Sequence, residues 1–305
     1  MKKEDLWKIY DSNYANDYNE RYLLNPFSQV SSSTELNILK DLINEKTQWL
    51  DLGCGTGYFL SLFPGIDRAG LDMSPKMLEH AIKTNPDALF FKEGDFREKV
   101  SEWNNKWSLI TCMWGAYCYV DSVQEVEKVI ENIISWTSQG GAIFFPTVDL
   151  EDVRPNMQIP YEEFTDVFGG KIALTSVTWS WKEQESGKEH EHLVSPHIEH
   201  FIKLLEPHFE TIEVIRYPPY MPGWVSRKAI LAKGKRTFNE NAEAAKVIWH
   251  EIPAPNVQAS EEVNTSFVSP LAPISNKHLL LEVLHRVRSG SFYQALKRRL
   301  FPRKN

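Results

Sequence analysis

Three short segments place glycines and acidic residues at the ends of apolar runs that predict β-strands. The first is DLGCGTG, from Asp51 to Gly57, and the second is Asp72 to Ser74 at the end of the next run. The third is Gly94 to Phe96, after a third run. Glycines at a strand-to-helix turn allow left-handed backbone angles and let a ligand approach the main chain closely. Together with nearby carboxylates as acceptors, these turns predict a ligand site at the strand ends.

The glycine spacing of the first segment separates two kinds of ligand. The dinucleotide fingerprint is G-x-G-x-x-G, whereas this chain has Tyr58 at the sixth position and its third glycine, Gly57, one residue early. Asp51 stands two residues before the first glycine. Its carboxylate suits the ammonium of an amino-acid ligand, directly or through water, and would repel a pyrophosphate. The spacing therefore favours a ligand with an amino-acid part.

Acids at the next two strand ends suit an adenosine. Asp72 lies 17 residues after Gly55, and an acid there can accept hydrogen bonds from both hydroxyls of a ribose. Asp95 can accept from an adenine amino group while Phe96 packs beside the ring. The three segments thus predict one site for an adenosine that carries an amino acid.

Together these segments resemble the class I S-adenosylmethionine-dependent methyltransferases. The pattern of that family is D-x-G-C-G-T-G, a strand that ends in D-x-S-x-x-M, and G-D after the third strand. This chain matches all three parts, and the resemblance covers roughly residues 5–235. It implies S-adenosyl-L-methionine as cofactor. The residues that it assigns to cofactor binding are Asp51, Gly53, Cys54, Gly55, Asp72, Met73, Asp95, Phe96 and, at the end of the fourth strand, Met113.

The N-terminal segment also resembles small-molecule members of that family. Its sequence from Tyr10 to Tyr18, YDSNYANDY, is similar to their Y-D-x-x-A-x-x-Y segments, which form a helical lid over the cofactor. The resemblance implies a cofactor contact from this lid, and we assign it to Tyr18. An ordinary amphipathic helix with buried aromatic residues is the alternative.

The loop after the fourth strand is the place where the transferred methyl group should lie. Its sequence is WGAYCY, from Trp114 to Tyr119. The sequence Thr111-Cys112-Met113 followed by an aromatic residue is similar to the corresponding segment of amino-sugar N,N-dimethyltransferases. Those enzymes have a histidine where this chain has Tyr119. We therefore take Tyr119 as a candidate catalytic residue. It would either orient a nucleophile or simply pack.

A segment with period-two alternation predicts an antiparallel insertion at about residues 149–195. Residues 171–183 and 188–194 can pair as a hairpin, which holds His190 and His192. Residues i and i+2 of a strand share a face, so both histidines would face either the pocket or solvent. We take His192 as a second catalytic candidate. No further ligand stands at metal-binding spacing, so no metal site is predicted.

Two tryptophans of the insertion, Trp179 and Trp181, should likewise share a face. That face would bind a substrate ring, form a homodimer interface or belong to the core of the insertion.

The order of apolar runs and amphipathic stretches predicts an α/β fold. Strands alternate with helices in the first half, which is typical of a doubly wound, mostly parallel sheet, and seven strands are complete near residue 234. We divide the chain into a Rossmann-like methyltransferase domain at residues 1–235 and a helical extension at 236–305. In the extension, 236–252 is predicted to be helical, 253–276 a linker and 277–300 a basic helix.

Charge and composition limit partners and location. The chain has a net charge of −7, but residues 276–305 contain eight Lys or Arg and one Glu, so the rest carries −14. An acidic body does not suit a duplex-DNA binder, so no nucleic-acid partner is expected. The basic helix could dock on an acidic protein surface, lie on an anionic membrane or remain a partly disordered tail.

The N-terminus has no secretory signal, and no apolar run approaches the roughly 18 residues of a membrane span. The three cysteines have no metal spacing and favour a reducing compartment, so a cytoplasmic location is expected.

These features predict methyl transfer to an amino or hydroxyl group of a small polar metabolite, such as a sugar or a glycan precursor. Two other hypotheses remain at this point. One is a non-catalytic cofactor-binding scaffold protein, and the other is a nicotinamide-dependent oxidoreductase. The glycine spacing and Asp51 disfavour the oxidoreductase.

Overall fold

The computed structural model of the chain describes residues 9–24, 28–149, 164–165, 171–172, 175–182, 187–218, 227–238 and 243–253. The chain divides into two units, Met1–Pro255 and Asn256–Asn305, and the second lies wholly outside the described residues. The predicted basic helix and nearly all of the predicted linker therefore remain predictions.

Twelve described strands form one large sheet and two small ones. They are β1 Gln48–Leu52, β2 Asp67–Asp72, β3 Phe90–Glu93, β4 Trp107–Thr111, β5 Thr137–Thr147, β6 Phe164–Thr165, β7 Lys171–Ile172, β8 Ser176–Lys182, β9 Glu189–Pro196, β10 Phe209–Arg216, β11 Lys228–Lys235 and β12 Lys246–Glu251. The large sheet has the order β12-β10-β11-β5-β4-β1-β2-β3, and only β11 runs antiparallel to its neighbours among these eight strands. The predicted doubly wound, mostly parallel sheet is confirmed.

The helices are α1 Ser12–Tyr18, α2 Gln29–Leu42, α3 Tyr58–Ser61, α4 Pro75–Thr84, α5 Val123–Trp136 and α6 Ile198–Leu205. A π-helix, Asn19–Leu23, continues α1, and 3₁₀ turns occupy Ser101–Trp103 and Met113–Cys118. Side chains cap the first turns of α4 and α5. Ser74 accepts from the Met77 N–H at 3.2 Å, with Pro75 at the first helical position, and Ser122 accepts from the Glu125 N–H at 3.3 Å.

The large sheet is covered by apolar side chains on both faces. Leu50 and Ile110 belong to one buried cluster, whereas their strand neighbours Trp49 and Leu109 belong to another. Because successive residues of a strand point to opposite faces, the two clusters lie on the two sides of the sheet. This double burial fixes the strand register and holds the strand ends, where the site lies, in a defined arrangement.

The prediction of a helix at 236–252 is wrong for residues 246–251. They form β12, which pairs in parallel with β10 from Thr211 opposite Lys246 to Arg216 opposite Glu251. The sequence Val247 to Trp249 is β-branched and aromatic, and such residues suit an edge strand. The sheet therefore has eight strands instead of seven and extends past the predicted boundary at residue 235.

The predicted insertion hairpin is confirmed, because β8 and β9 pair antiparallel. None of the helices that the structure describes is long and apolar enough to cross a bilayer. The three cysteines are all buried, and they form no disulfide with one another.

Candidate active site

A cavity of about 680 Å³ opens where the predicted segments meet. Its walls come from α1, the turn after β1, the end of β2, the loop after β4 and the hairpin. The volume falls in the range of small-molecule sites. Of the twelve predicted cofactor and catalytic residues, ten line the cavity, and they are Tyr18, Asp51, Gly53, Cys54, Gly55, Asp72, Met73, Phe96, Met113 and Tyr119.

The glycine turn takes the left-handed shape that its sequence predicts. The φ angles of Gly53, Gly55 and Gly57 are +63°, +53° and +69°. A Cβ atom on Gly53 would lie 2.4 Å from the Cβ of Ala116, in the loop after β4. Glycine is therefore required at position 53 both by the backbone angle and by close packing of the turn against that loop.

Asp72 ties the turn to the end of β2. One oxygen of its carboxylate accepts from the Gly55 N–H at 2.8 Å and the other from the Ser74 N–H at 2.8 Å. Burial raises the pKa of Asp72, and these backbone N–H groups act in the opposite direction. The carboxylate is thus held in one orientation at the cavity wall, as a ribose acceptor would need to be.

Asp51 lies deeper, at the junction of β1 and β4. Its carboxylate accepts from the Thr111 hydroxyl at 2.6 Å, and that hydroxyl accepts from the Trp49 indole at 2.8 Å. Burial raises the pKa of Asp51 to about 7 despite the Thr111 hydrogen bond, with a smaller upward effect from Asp72. An ammonium group in the cavity would favour the ionised form of Asp51.

Asp95 does not line the cavity, in contrast to the prediction of an adenine contact. Its carboxylate accepts from the Arg97 guanidinium, with the closest contact at 2.7 Å, and Arg97 also pairs with Glu125 at 2.9 Å. The neighbouring Phe96 does line the cavity and is buried. The prediction assigned both Asp95 and Phe96 to the adenine. Side chains of adjacent residues point in different directions, however, and the carboxylate of Asp95 faces Arg97 of its own loop instead of the cavity.

The N-terminal segment covers the cavity with a stripe of tyrosines. Tyr10, Tyr14, Tyr18 and Tyr22 recur every four residues, and all line the cavity. Burial raises the pKa of Tyr18 well above its usual value. The phenol rings therefore face the cavity as neutral, aromatic surface.

Three side chains from other parts of the site hold this segment in place. The Ser74 hydroxyl donates to the Tyr10 carbonyl at 3.0 Å, and the Thr56 hydroxyl donates to the Asn19 side chain at 2.6 Å. Lys188 of the hairpin loop donates to the Ile9 carbonyl and pairs with Asp11 at 3.2 Å. These contacts support the interpretation of this segment as a lid, because the glycine turn and the hairpin both hold it in place.

Tyr119 meets a histidine of the hairpin, but it is His190. The Tyr119 hydroxyl lies 2.8 Å from Nδ1 of His190, which is fully buried. The ring of Tyr10 lies 5.9 Å from that of Tyr119 and 6.4 Å from that of His190. Tyr10, Tyr119 and His190 thus form one polar-aromatic group, of which Tyr10 and Tyr119 line the cavity and His190 is buried beside them outside the lining.

The expectation that His190 and His192 share a strand face is wrong. The register between β8 and β9 shifts between Trp179 and Trp181, so Glu191 and His192 together face Ser180. His192 takes a left-handed φ of +58° at this bulge and is exposed, and it does not line the cavity. An extra residue in one strand breaks the period of two, and nothing in a single sequence locates it. Trp179 does line the cavity and donates to the Ser195 hydroxyl at 2.9 Å, whereas the side chain of Trp181 lies outside the described part of the chain.

The loop after β4 adds a strained tryptophan and a cation. Trp114 has a φ of +55°, which is rare for a bulky residue. The guanidinium of Arg227, just before β11, lies 4.9 Å from the centre of the Trp114 ring. Both residues line the cavity.

Behind this wall lies a buried acid that sequence reasoning missed. Glu35 of α2 is fully buried, and burial raises its pKa to about 8, although Arg227, Trp114 and Tyr217 act in the opposite direction. Its carboxyl lies near the Trp114 indole and the Tyr217 hydroxyl without meeting good hydrogen-bond geometry. One feature of the sequence does indicate that Glu35 is buried: it lies four residues before Leu39, on the apolar face of the helix.

No group of three or more His, Cys, Asp or Glu side chains with the geometry of a metal site occurs within the described ranges. The neighbouring histidines of the hairpin contribute to no such group there.

The family comparison covers the middle of the fold, from α2 to the end of α6. A family described as "Methyltransferase domain" matches residues 29–208, more than half of the chain. The chain therefore belongs to the methyltransferase family. The recognition of a class I S-adenosylmethionine-dependent methyltransferase from the glycine turn is confirmed at this level.

Individual relatives are more distant. The dTDP-3-amino-3,4,6-trideoxy-α-D-glucopyranose N,N-dimethyltransferase of Streptomyces venezuelae is 27% identical over 138 residues, which are 44% of this chain and 57% of the relative. The match thus spans little more than half of that enzyme. The structure of DesVI from Streptomyces venezuelae has a TM-score of 0.49 and 20% identity, over 72% of this chain and 98% of its own. CalS10, described as an amino pentose methyltransferase of Micromonospora echinaspora, has a TM-score of 0.43 and 17% identity, over 69% and 92%.

Proposed function

We propose that the protein transfers the methyl group of S-adenosyl-L-methionine to a nitrogen or oxygen nucleophile of a small polar metabolite, a sugar or a sugar-linked precursor. One observation carries this proposal. A single cavity joins the glycine turn and Asp72 at one end to Tyr119, Trp114 and Trp179 at the other. A cofactor bound at the first end would present its methyl group toward the second.

The size and character of the second end favour a small acceptor. Its wall is mostly aromatic, and the lid and the hairpin both contribute to it together with the loop after β4, which suits a small acceptor. The relative from Streptomyces venezuelae is named for an amino sugar linked to dTDP. That name supports a sugar-linked acceptor without fixing which one.

Positioning supplies most of the catalysis in methyl transfer from a sulfonium, because the donor is already activated. The nucleophile must lie in line with the methyl carbon and sulfur. The acceptor nucleophile gains the methyl group, the carbon–sulfur bond breaks, and S-adenosylhomocysteine leaves. A hydroxyl or protonated amine must also lose a proton. Tyr119 and His190 supply a hydroxyl and a ring nitrogen that can receive or relay that proton.

The acceptor can be found by incubating the full chain with methyl-labelled S-adenosylmethionine. We expect label to enter a nucleotide-linked sugar, an amino sugar or a glycan precursor. Label in protein or RNA instead would overturn the small-molecule proposal. Tight binding of S-adenosylhomocysteine with no transfer to any acceptor would favour the non-catalytic scaffold alternative.

Tyr119→Phe is expected to lower kcat by about 100-fold if the hydroxyl relays a proton, since acid–base groups contribute at least that much. His190→Phe should have a comparable effect and should also change the pH profile of kcat. Steady-state kinetics with the acceptor identified above tests both variants. His192→Ala is the matched control on the same strand, and we expect wild-type kinetics from it. If Tyr119→Phe and His190→Phe also showed wild-type kinetics, Tyr119 and His190 would have a packing role only.

A further inference from the structure

The N-terminal segment is held from two sides at three consecutive residues, Ile9 to Asp11. On one side, the Ser74 hydroxyl donates to the Tyr10 carbonyl at 3.0 Å. On the other side, Lys188 of the hairpin donates to the Ile9 carbonyl and pairs with the Asp11 carboxylate at 3.2 Å. Neighbouring residues of one short stretch are thus bound to the cofactor end of the cavity and to the hairpin.

Ser74 connects the first of these contacts to the predicted ribose site. Its backbone N–H donates to the Asp72 carboxylate at 2.8 Å, and its hydroxyl also accepts from the Met77 N–H at the start of α4. The N-terminal segment is therefore bound to the same residue that orients the Asp72 carboxylate.

Lys188 supplies the contacts on the other side, although it does not itself line the cavity. Its ammonium lies 4.5 Å from the centre of the Tyr14 ring, and its side chain is only 23% exposed. An ammonium group has three N–H donors, and its hydrogen bonds and ring contacts are stronger where water is partly excluded. Lys188 thus contacts the main chain, a carboxylate and a ring of the N-terminal segment.

The ion pair with Lys188 lies at the start of a helix. The Asp11 carboxylate accepts from the Tyr14 N–H at 2.9 Å and so caps the first turn of α1. Tyr14 and Tyr18, which follow along α1, line the cavity. The position of this aromatic surface over the cavity therefore depends on a residue of the hairpin.

We propose that Lys188 is a positioning residue that fastens the N-terminal segment over the bound cofactor, so that it slows the release of S-adenosylhomocysteine after methyl transfer. This inference rests on the proposed methyltransferase function and adds to it a residue outside the cavity. Product release or lid opening limits the rate of many enzymes. The hairpin, which contributes Trp179 to the acceptor end, in this way also controls how long the cofactor product stays bound.

The test measures dissociation of S-adenosylhomocysteine from the full chain, by a chase of the labelled compound with an excess of the unlabelled one. Lys188→Met keeps an unbranched side chain beside Tyr14 but removes the charge and the donors. Lys188→Arg keeps the charge and is the conservative variant. Lys182→Met is the matched control, because Lys182 lies on the same hairpin, is exposed and pairs with Glu189.

We expect Lys188→Met to release S-adenosylhomocysteine about tenfold faster than the wild type, the scale of a hydrogen bond to a charged group. Lys188→Arg should release it at a rate closer to that of the wild type, and Lys182→Met at the wild-type rate. Asp11→Asn keeps a helix cap but loses the ion pair, so it should also release the product faster. Its effect should shrink in the Lys188→Met background, because either substitution alone already removes the ion pair.

Hydrogen exchange of the chain without ligand provides a second measurement. The amides of α1, Ser12–Tyr18, should exchange faster in Lys188→Met than in the wild type or in Lys182→Met. This measurement tests the contact itself and does not depend on cofactor binding.

Wild-type release of S-adenosylhomocysteine from Lys188→Met would overturn the inference, whether or not the exchange of α1 changes. An equal acceleration in Lys182→Met would also overturn it, because the effect would then belong to the hairpin as a whole. In both cases the wild type still binds S-adenosylhomocysteine, so the proposed function stands. If the wild type does not bind S-adenosylhomocysteine at all, the proposed function fails, and the role of Lys188 in product release fails with it.

Discussion

Asp72→Ala is expected to abolish tight binding of S-adenosylhomocysteine, with a loss of at least about 100-fold in affinity. Two hydrogen bonds from the ribose hydroxyls to a carboxylate would be lost, and each is worth roughly 1.5–3 kcal/mol. The substitution also frees the N–H groups of Gly55 and Ser74, which the carboxylate holds at 2.8 Å. The glycine turn would then lose its fixed geometry as well as the carboxylate that we propose accepts from the ribose. Calorimetry on the wild type and the variant measures the effect.

Two further variants test the proposed ribose role of Asp72. Asp72→Asn keeps one carbonyl oxygen as an acceptor, so it should bind more weakly than the wild type but retain the fold. Asp67→Asn changes an exposed acid at the start of the same strand and should bind like the wild type. Unchanged affinity in Asp72→Ala would refute the assignment of Asp72 to the ribose.

The parts of the site that sequence alone predicted are those set by local chemistry. The turn from Asp51 to Gly57 needs left-handed glycines, and the end of β2 carries both an acid and a helix cap within three residues, from Asp72 to Ser74. Short-range requirements of this kind are written in consecutive residues. From these requirements the sequence predicted the part of the cavity that is formed by the glycine turn and the end of β2.

The remaining parts depend on contacts between distant segments. Tyr119 and His190 are 71 residues apart, and the bulge that separates His190 from His192 arises from how β9 pairs with β8. The burial of Glu35 near Trp114 depends on how α2 packs against the loop after β4. Residues 246–251 form a strand because β10 offers an open edge. The periodicity of apolar residues along the chain does not predict any of these long-range contacts.

Glu35→Gln is expected to stabilise the folded protein progressively as the pH rises. Burial raises the pKa of Glu35 to about 8, from 4.5 in an exposed state. Between these two values the folded chain binds more protons than the unfolded chain, so the free energy of unfolding falls as the pH rises, and the full cost is present above about pH 8. The pKa difference corresponds to a cost of about 5 kcal/mol, as an order of magnitude. Glutamine of similar volume does not ionise and avoids this cost.

The measurement is the free energy of unfolding by denaturant at about pH 5 and about pH 9 for both proteins. The advantage of Glu35→Gln over the wild type should grow by several kcal/mol between the two conditions, because the other titrating groups, Asp51 included, are common to both proteins and cancel. Glu45→Gln, at an exposed position just after α2, is the matched control for the loss of one carboxyl group. A constant difference for Glu35→Gln would mean that the carboxyl is ionised in the fold at neutral pH.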